Sequence, residues 1–406
     1  MEKSRIAGLD KLFILLLFLS SGTPFNADIG VLAYISVIVW LMLLMNKRLL
    51  LGKRIFMGAV MILVLWTVQA LLYGYSDMLV NILKNWMWLF MVFSYFTSYF
   101  DRTKQRMDFF IKCIITFAII STVIFFLSIL GVNLPTIMSK TYQYETVFYL
   151  GKVSPNPIYG LFGYRNYGIY WEPGLYQAYL NFLLIFLLYD KELFQGRRIP
   201  RYITIAFCVF LILTTGSTTG YVLCTINMIL FLFRNRELPV LKILFIGMAV
   251  VVSLFVFEVL SEMITNKMTM GNSYKMRLTD MIKGFEVFKT KPILGYGIAN
   301  DAYAQYTQGE FDSLRGNTNG LVSVLINFGI VGFLCYAYCF SRCASVLNRI
   351  YGVDLLSVFV FFIINMMSEP ISLHQTIFMF LGIGLYNGLV NDHSRRSIFG
   401  IRRMRT

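Results

Sequence analysis

Exposed disulfides, metal-ligand clusters and internal repeats are all missing from this chain of 406 residues. Its six cysteines, Cys113, Cys208, Cys224, Cys335, Cys339 and Cys343, fall in apolar runs or beside basic segments, so none is placed to staple an outer loop. Cys335, Cys339 and Cys343 share a helical face at i, i+4 and i+8. With no histidine nearby they read as small core residues rather than ligands. There are two histidines, and His374 stands alone, so no metal and no cofactor is expected. No repeat or low-complexity stretch stands out. Nor is a cleavable signal peptide evident: no convincing small-residue cleavage site follows the apolar run Leu12–Leu19, which reads as a first membrane span.

Acidic residues are scarce, with 21 Asp and Glu against 36 Lys and Arg and a net charge of +15. Such an excess can signal nucleic acid, but its distribution excludes that partner. Most of it lies in alternate segments between apolar runs: Lys47, Arg48, Lys53 and Arg54; Arg102, Lys104 and Arg106; Arg197, Arg198 and Arg201; and a basic tail, 392–406. That is the positive-inside pattern of a membrane protein with both termini in the cytoplasm. A basic tail there meets anionic lipid headgroups.

What is abundant is apolar side chain: 57% of residues are hydrophobic, with a mean hydropathy of +0.67. In lipid every backbone polar group must be satisfied internally, so spanning segments are helices. The pattern predicts an all-α polytopic membrane protein, residues 1–406 as a single integral membrane domain, with about twelve transmembrane helices. They are expected at 9–26, 29–45, 55–74, 82–100, 109–132, 174–189, 202–216, 218–233, 242–261, 319–340, 355–368 and 376–391. The pair within 202–233 is one apolar run broken by TTGSTTG (214–220), which reads as a tight turn.

Two long outer loops, 133–173 and 262–318, hold the basic residues retained on the translocated side. The first is rich in Tyr, Pro and Gly and ends in GYRNYGIYWEPGLYQ (163–177), with an arginine, a carboxylate and several aromatics beside the bilayer. An arginine can hold phosphate, a carboxylate can take a proton and aromatic faces can stack on sugars; an interfacial aromatic belt accounts for some of the tyrosines equally well. Pro173 suits the first position of a helix, which puts Glu172 at its N-cap. There the helix dipole stabilises a carboxylate by ~0.3–1 kcal/mol. Arg165 is placed either to pair with Glu172 or to bind an anion. The second loop carries a predicted amphipathic interfacial helix, about 273–289, with Leu278, Met281, Ile282, Phe285 and Phe288 on one stripe, Arg277 at its edge, and Asp280 and Lys283 opposite. Pro292 and Gly295-Tyr296-Gly297 end it, and Asn317 or Thr318 is the expected cap of the next span. Helix starts bind phosphates readily, and Arg165, Arg277 and Arg315 flank the two that face this boundary.

Four segments resemble, in order, the bacterial O-antigen polymerase and O-antigen ligase superfamily of polytopic membrane glycosyltransferases. They are YRNYGIYWEPG (164–174), LTTGSTTGYVL (213–223), SYKMRLTDMIKGFEVFKTKPILGYG (273–297) and NTNGLVSVLINFGIVGF (317–333). Where the ligases have histidine before asparagine, this chain has Thr318 before Asn319, which favours the polymerase branch.

The resemblance implies metal-independent, inverting transfer at the outer face of the bacterial inner membrane. A glycan on undecaprenyl diphosphate is donated to another lipid-linked repeat unit, for an O-antigen, capsule or exopolysaccharide. Both donor and acceptor are then undecaprenyl-diphosphate-linked glycans, and a chain-length regulator protein is a further partner of such enzymes. By the same resemblance Arg165, Arg277 and Arg315 bind the diphosphate, and Glu172, with Asp312 second, is the base. Asn317 and Asn319 orient sugar or phosphate, and Tyr164, Tyr167, Tyr170 and Trp171 line the glycan path. A ligase moving finished glycan to a lipid or protein acceptor, and a flippase for lipid-linked oligosaccharides, are the alternatives. Few buried charges and no repeat argue against transport.

Overall fold

The computed structural model describes residues 8–49, 51–75, 78–98, 102–141, 144–157, 160–190, 198–234, 272–298, 301–308 and 316–385. The chain begins with six helices: α1 (Gly8–Ser20), α2 (Pro24–Ile29), α3 (Val31–Met45), α4 (Lys53–Leu72), α5 (Leu79–Thr97) and α6 (Thr103–Ile129). Two hairpins follow, β1 (Ile137–Ser139) with β2 (Tyr144–Thr146) and β3 (Lys152–Pro155) with β4 (Tyr164–Gly168). Then come α7 (Pro173–Tyr189), α8 (Arg198–Thr214), α9 (Thr218–Arg234), α10 (Asn272–Thr290), α11 (Ala302–Tyr306), α12 (Gly320–Tyr351), α13 (Leu355–Ser368) and α14 (Gln375–Leu385).

Four of these, α4, α5, α6 and α12, are long and apolar enough to cross a bilayer, and several shorter apolar helices accompany them. The chain is a mostly helical, polytopic membrane protein. Helices stand where spans are expected, except that 242–261 lies outside the described residues. The first expected span, 9–26, is interrupted. Gly22 takes a left-handed φ of 78°, and Pro24 at N1 with Thr23 as cap starts the separate helix α2. The loop 133–173 is not irregular either, because its Tyr, Val and Thr residues pair as antiparallel strands. Asp28 in the last turn of α2 ties the first hairpin down, accepting from the Lys140 and Thr141 backbone N–H groups and the Tyr149 hydroxyl at 2.9–3.2 Å.

Helix α7 is the central pillar, buried without interruption from Pro173 to Leu188 among α6, α8, α9 and α13. A helix apolar all round is at home in a protein interior or in lipid, and here the protein itself encloses it. Its two polar residues fix its neighbours. Gln177 donates to the Asn365 side chain of α13 at 3.0 Å, and Asn181 donates to Gln177 at 3.0 Å and to the Gly220 carbonyl of α9 at 3.2 Å. Such small-residue and amide contacts hold helices together where apolar burial supplies little drive.

At the opposite, basic end, Arg106 is fully buried rather than solvated. It donates to the Tyr95 and Ser98 carbonyls at 2.6 and 2.7 Å, with Asp10 3.7 Å away and bridged in turn to Arg48 at 3.6 Å.

Helix α12 is broken at Gly329, where φ is 62° and ψ −165°. The break strands two carbonyls and two N–H groups, and the segment after α10 takes up all four. Tyr296 and Gly297 donate to the Ile326 and Asn327 carbonyls at 2.9 and 2.8 Å, while Ile330 and Val331 donate to the Pro292 and Ile293 carbonyls at 2.8 and 3.3 Å. Each partner replaces the i−4 bond the helix would have made, so the backbone stays satisfied. Gln69 of α4 holds the splice from outside, donating to the Leu294 carbonyl at 2.9 Å.

A Cβ at Gly329 would stand 2.2 Å from the Ile293 carbonyl oxygen. Gly329→Ala is therefore expected to destabilise the detergent-solubilised protein by about 2 kcal/mol or more, read as a lower melting temperature. An unchanged melting temperature would mean that the splice contributes nothing.

Candidate functional site

Three helix ends meet at the end of the bundle where α7 and α12 begin and α13 stops. At the first, Pro173 fixes the helix start and Glu172 is the extended N-cap, yet its side chain makes no capping hydrogen bond. The carboxyl is thus not occupied as a cap. At the second, Asn319 is the N-cap, accepting from the Val322 N–H at 3.1 Å. The cap falls at Asn319 rather than Asn317 or Thr318 because those two residues are bound elsewhere. At the third, Pro370 forbids further helix, and the preceding Glu369 turns extended, at φ −135° and ψ 144°. Its side chain therefore leaves the α13 axis and enters the junction.

Glu369 is 1% exposed and fits between the other two helix starts. A Cβ on Gly174 would lie 2.1 Å from Glu369 Oε1 and 3.0 Å from Glu172 Oε1, and one on Gly320 would lie 2.6 Å from the Glu369 carbonyl oxygen. Only glycine leaves the room in which the two carboxyls converge. Arg277 of α10 completes the group, its Nη2 3.4 Å from Glu369 Oε1, with 38% of the arginine side chain exposed against 2% of the glutamate. Burial first, then the hydrogen bond and charge of Glu172, push the Glu369 carboxyl well above the usual range, against the pull of Arg277.

Helix α10 is placed by Asp280, which is wholly buried although the helical wheel put it on the solvent side with Lys283. Its carboxylate accepts from the Tyr303 hydroxyl at 2.5 Å and from the Thr318 hydroxyl and N–H at 2.5 and 3.1 Å. Asn317 adds a bond from its side-chain amide to the Asp280 carbonyl at 2.7 Å. The packed face of α10 is thus Asp280, Gly284 and Val287, while Leu278, Ile282 and Phe285 point outward. Beside this network lies a cavity of about 490 Å³, walled in part by Asp301, Gln305, Gln308, Asn317, Asn327 and Pro370. Its amide-rich wall suits a polyhydroxylated ligand, and its size is that of an ordinary small-molecule pocket.

Arg165, on β4, does not turn to Glu172. It donates to the Thr215 and Gly216 carbonyls, at 3.0 and 3.3 Å, and so grips the turn between α8 and α9. Lys152 of β3 sits over the rings of Tyr144 and Tyr167 at 3.4 and 4.2 Å. Burial, then the charge of Arg165, pulls its ammonium down to about 8.

The expected site residues thus divide. Glu172 and Arg277 come together on Glu369. Asn317 and Asn319 order the start of α12, and Asn317 also faces the cavity. Tyr164 and Tyr167 lie on β4, the latter under Lys152. Tyr170 is 2% exposed and stacked on Tyr179 at 4.5 Å, inside the core, and Trp171 is partly buried against that core. Asp312 and Arg315 lie outside the described residues. Reading the sequence missed Glu369, Asp280 and Lys152. One signal was present for the first: Glu-Pro occurs twice, at 172–173 and 369–370, each at an end of an apolar run.

Residues 203–337 match the O-Antigen ligase family. The matched stretch holds most of α8, all of α9, Arg277, Asp280 and the start of α12, while Glu172 and Glu369 lie on either side of it. No curated protein matches the chain.

Replacing Asp280 by alanine strands three donors. Asp280→Ala is expected to cost about 3 kcal/mol of stability, measured as thermal unfolding in detergent, with Asp280→Asn intermediate.

Proposed function

We propose that this chain, with its O-Antigen ligase family domain over residues 203–337, is a polymerase of undecaprenyl-diphosphate-linked oligosaccharide repeat units for a surface polysaccharide. In this reading it works at the outer face of the bacterial inner membrane. The family comprises membrane glycosyl-transfer enzymes of the ligase and polymerase types. The observation that carries the finer reading is the meeting of Glu172 and Arg277, far apart in the chain, on one buried carboxyl between two helix starts.

Each part has a chemical use. The acceptor hydroxyl gives its proton to Glu172, its oxygen attacks the anomeric carbon of the donor, and the bond to the diphosphate breaks. Arg277, half exposed, meets the charge that leaves, at about 1.5–3 kcal/mol per charge-assisted hydrogen bond. The free N–H groups at the starts of α7 and α12 add positive potential on the same side. Arg165, close to Lys152, and Arg315 are assigned to the same diphosphate, with Asp312 as the second candidate base. The amide-lined cavity beside Pro370 is assigned to the acceptor sugars, with Tyr164, Tyr167 and Trp171 on the approach. Thr318 supports the polymerase branch over a ligase. It stands where the ligases carry histidine, and its hydroxyl is already given to Asp280 at 2.5 Å. The ligase reading keeps the support of the matched family's own description.

A deletion strain separates the readings. Loss of a polymerase leaves surface glycan capped with single repeat units, loss of a ligase leaves polymer on undecaprenyl diphosphate, and loss of a flippase leaves lipid-linked units inside. In the purified enzyme Arg277→Ala is expected to abolish chain extension with little change in melting temperature, and Glu172→Gln to slow it by roughly 10²–10⁴-fold. Arg165→Ala is expected to stop extension and also lower the melting temperature, because its guanidinium holds the α8–α9 turn. Polymer of wild-type length from Arg277→Ala would sink the diphosphate role.

A further inference from the structure

Glu369 is the most confined carboxyl of the junction, and the chemistry above gives it no task. We propose that Glu369 is a positioning residue for catalysis: it keeps a proton, donates it to Glu172, and so holds the Glu172 carboxylate towards the acceptor hydroxyl while Arg277 serves the diphosphate. This rests on the base role of Glu172.

The geometry supplies the argument. Both carboxyls converge above Gly174, where a Cβ would meet Glu369 Oε1 at 2.1 Å and Glu172 Oε1 at 3.0 Å. Two like charges this close in a buried site do not both persist, so one proton is shared between them. Glu369 is the member with no outlet, 1% exposed and walled by the first turns of α7 and α12, whereas Glu172 is half-buried. Among the described residues the charged groups acting on Glu369 are Glu172 from α7 and Arg277 from α10. The start of α12 offers only the neutral Thr318, Asn319 and Gly320. In the loop beyond α13, burial holds His374 neutral by drawing it down to about 4.

One arginine can balance one carboxylate. When Arg277 moves its charge to the diphosphate, a doubly ionised pair would be left uncompensated in a buried site, and a singly protonated one is not. During transfer the acceptor O–H bond breaks and its proton passes to Glu172. The acceptor oxygen forms the new bond to the anomeric carbon, and the electron pair of the old C–O bond leaves with the diphosphate. The pair then holds two protons and returns one to water.

Glutamine is the isostere of a protonated glutamate and can donate the same hydrogen bond without ionising. Glu369→Gln is expected to extend glycan within about threefold of wild type at neutral pH, and Glu369→Ala to lose roughly 10²-fold or more. The sign of the pH effect follows from the raised Glu369 carboxyl. In wild type, activity falls as alkaline pH removes its proton; in Glu369→Gln that alkaline limb disappears. Infrared difference spectra of both proteins in nanodiscs give a second readout that does not need activity, because the wild type should show a protonated-carboxyl C=O band that Glu369→Gln lacks. A Glu369→Gln enzyme as inactive as Glu369→Ala, an alkaline limb common to wild type and Glu369→Gln, or identical carboxyl bands would each overturn the proposal. A wild type that binds lipid-linked oligosaccharide but never extends it counts against the polymerase reading instead, and leaves the infrared result to decide Glu369.

Discussion

The junction depends on packing a buried carboxyl against two helix starts. Glu369 reaches into the first turns of α7 and α12, where Gly174 and Gly320 leave it space. The unpaired N–H groups of a helix start carry partial positive charge, so an acidic side chain fits there better than on any other part of a membrane helix. The same contact draws in Arg277 from α10 and turns Glu172 away from its own helix cap. Three segments far apart in sequence thereby share one small volume. Glu172, Arg277 and Glu369 each come from a different one of them.

This arrangement explains why a family match over a third of the chain and a complete site are different things. The matched stretch, 203–337, supplies Arg277, the Asp280 network and the start of α12. Both carboxyls come from outside it, one from the loop before α7 and the other from the end of α13. In the polymerase reading the matched third supplies Arg277 for the leaving group, and the rest of the chain supplies Arg165 and both carboxyls.

Much of this was legible from residues alone, and the exceptions have physical causes. Hydropathy located the apolar helices among the described residues, and Pro173 placed the N-cap at Glu172. The run TTGSTTG read correctly as a turn, and α10 fell within a residue of its expected bounds. Asp280 misled because a helical wheel knows only its own helix; its partners Tyr303 and Thr318 arrive from later in the chain. The burial of Arg106 had no local signal either, since Asp10 and two carbonyls from other parts of the chain close over it. The hairpins were invisible because strands of three to five residues are too short to show alternation. Glu369 was visible only as a second Glu-Pro, and nothing local says that the two lie side by side.

The broken α12 carries an implication for how such a chain can vary. Pro292, Ile293, Tyr296 and Gly297 each bond one particular residue on either side of Gly329. Side chains along this segment can be exchanged while those bonds survive, except at Gly295 and Gly297, which take φ of 68° and 88°. A single inserted or deleted residue would shift the register on one side and leave backbone groups unpaired in an apolar surrounding, where each is costly. The splice therefore tolerates length changes between Gly297 and the start of α12, but not within 292–297 or 326–331, where the hydrogen bonds fix the number of residues.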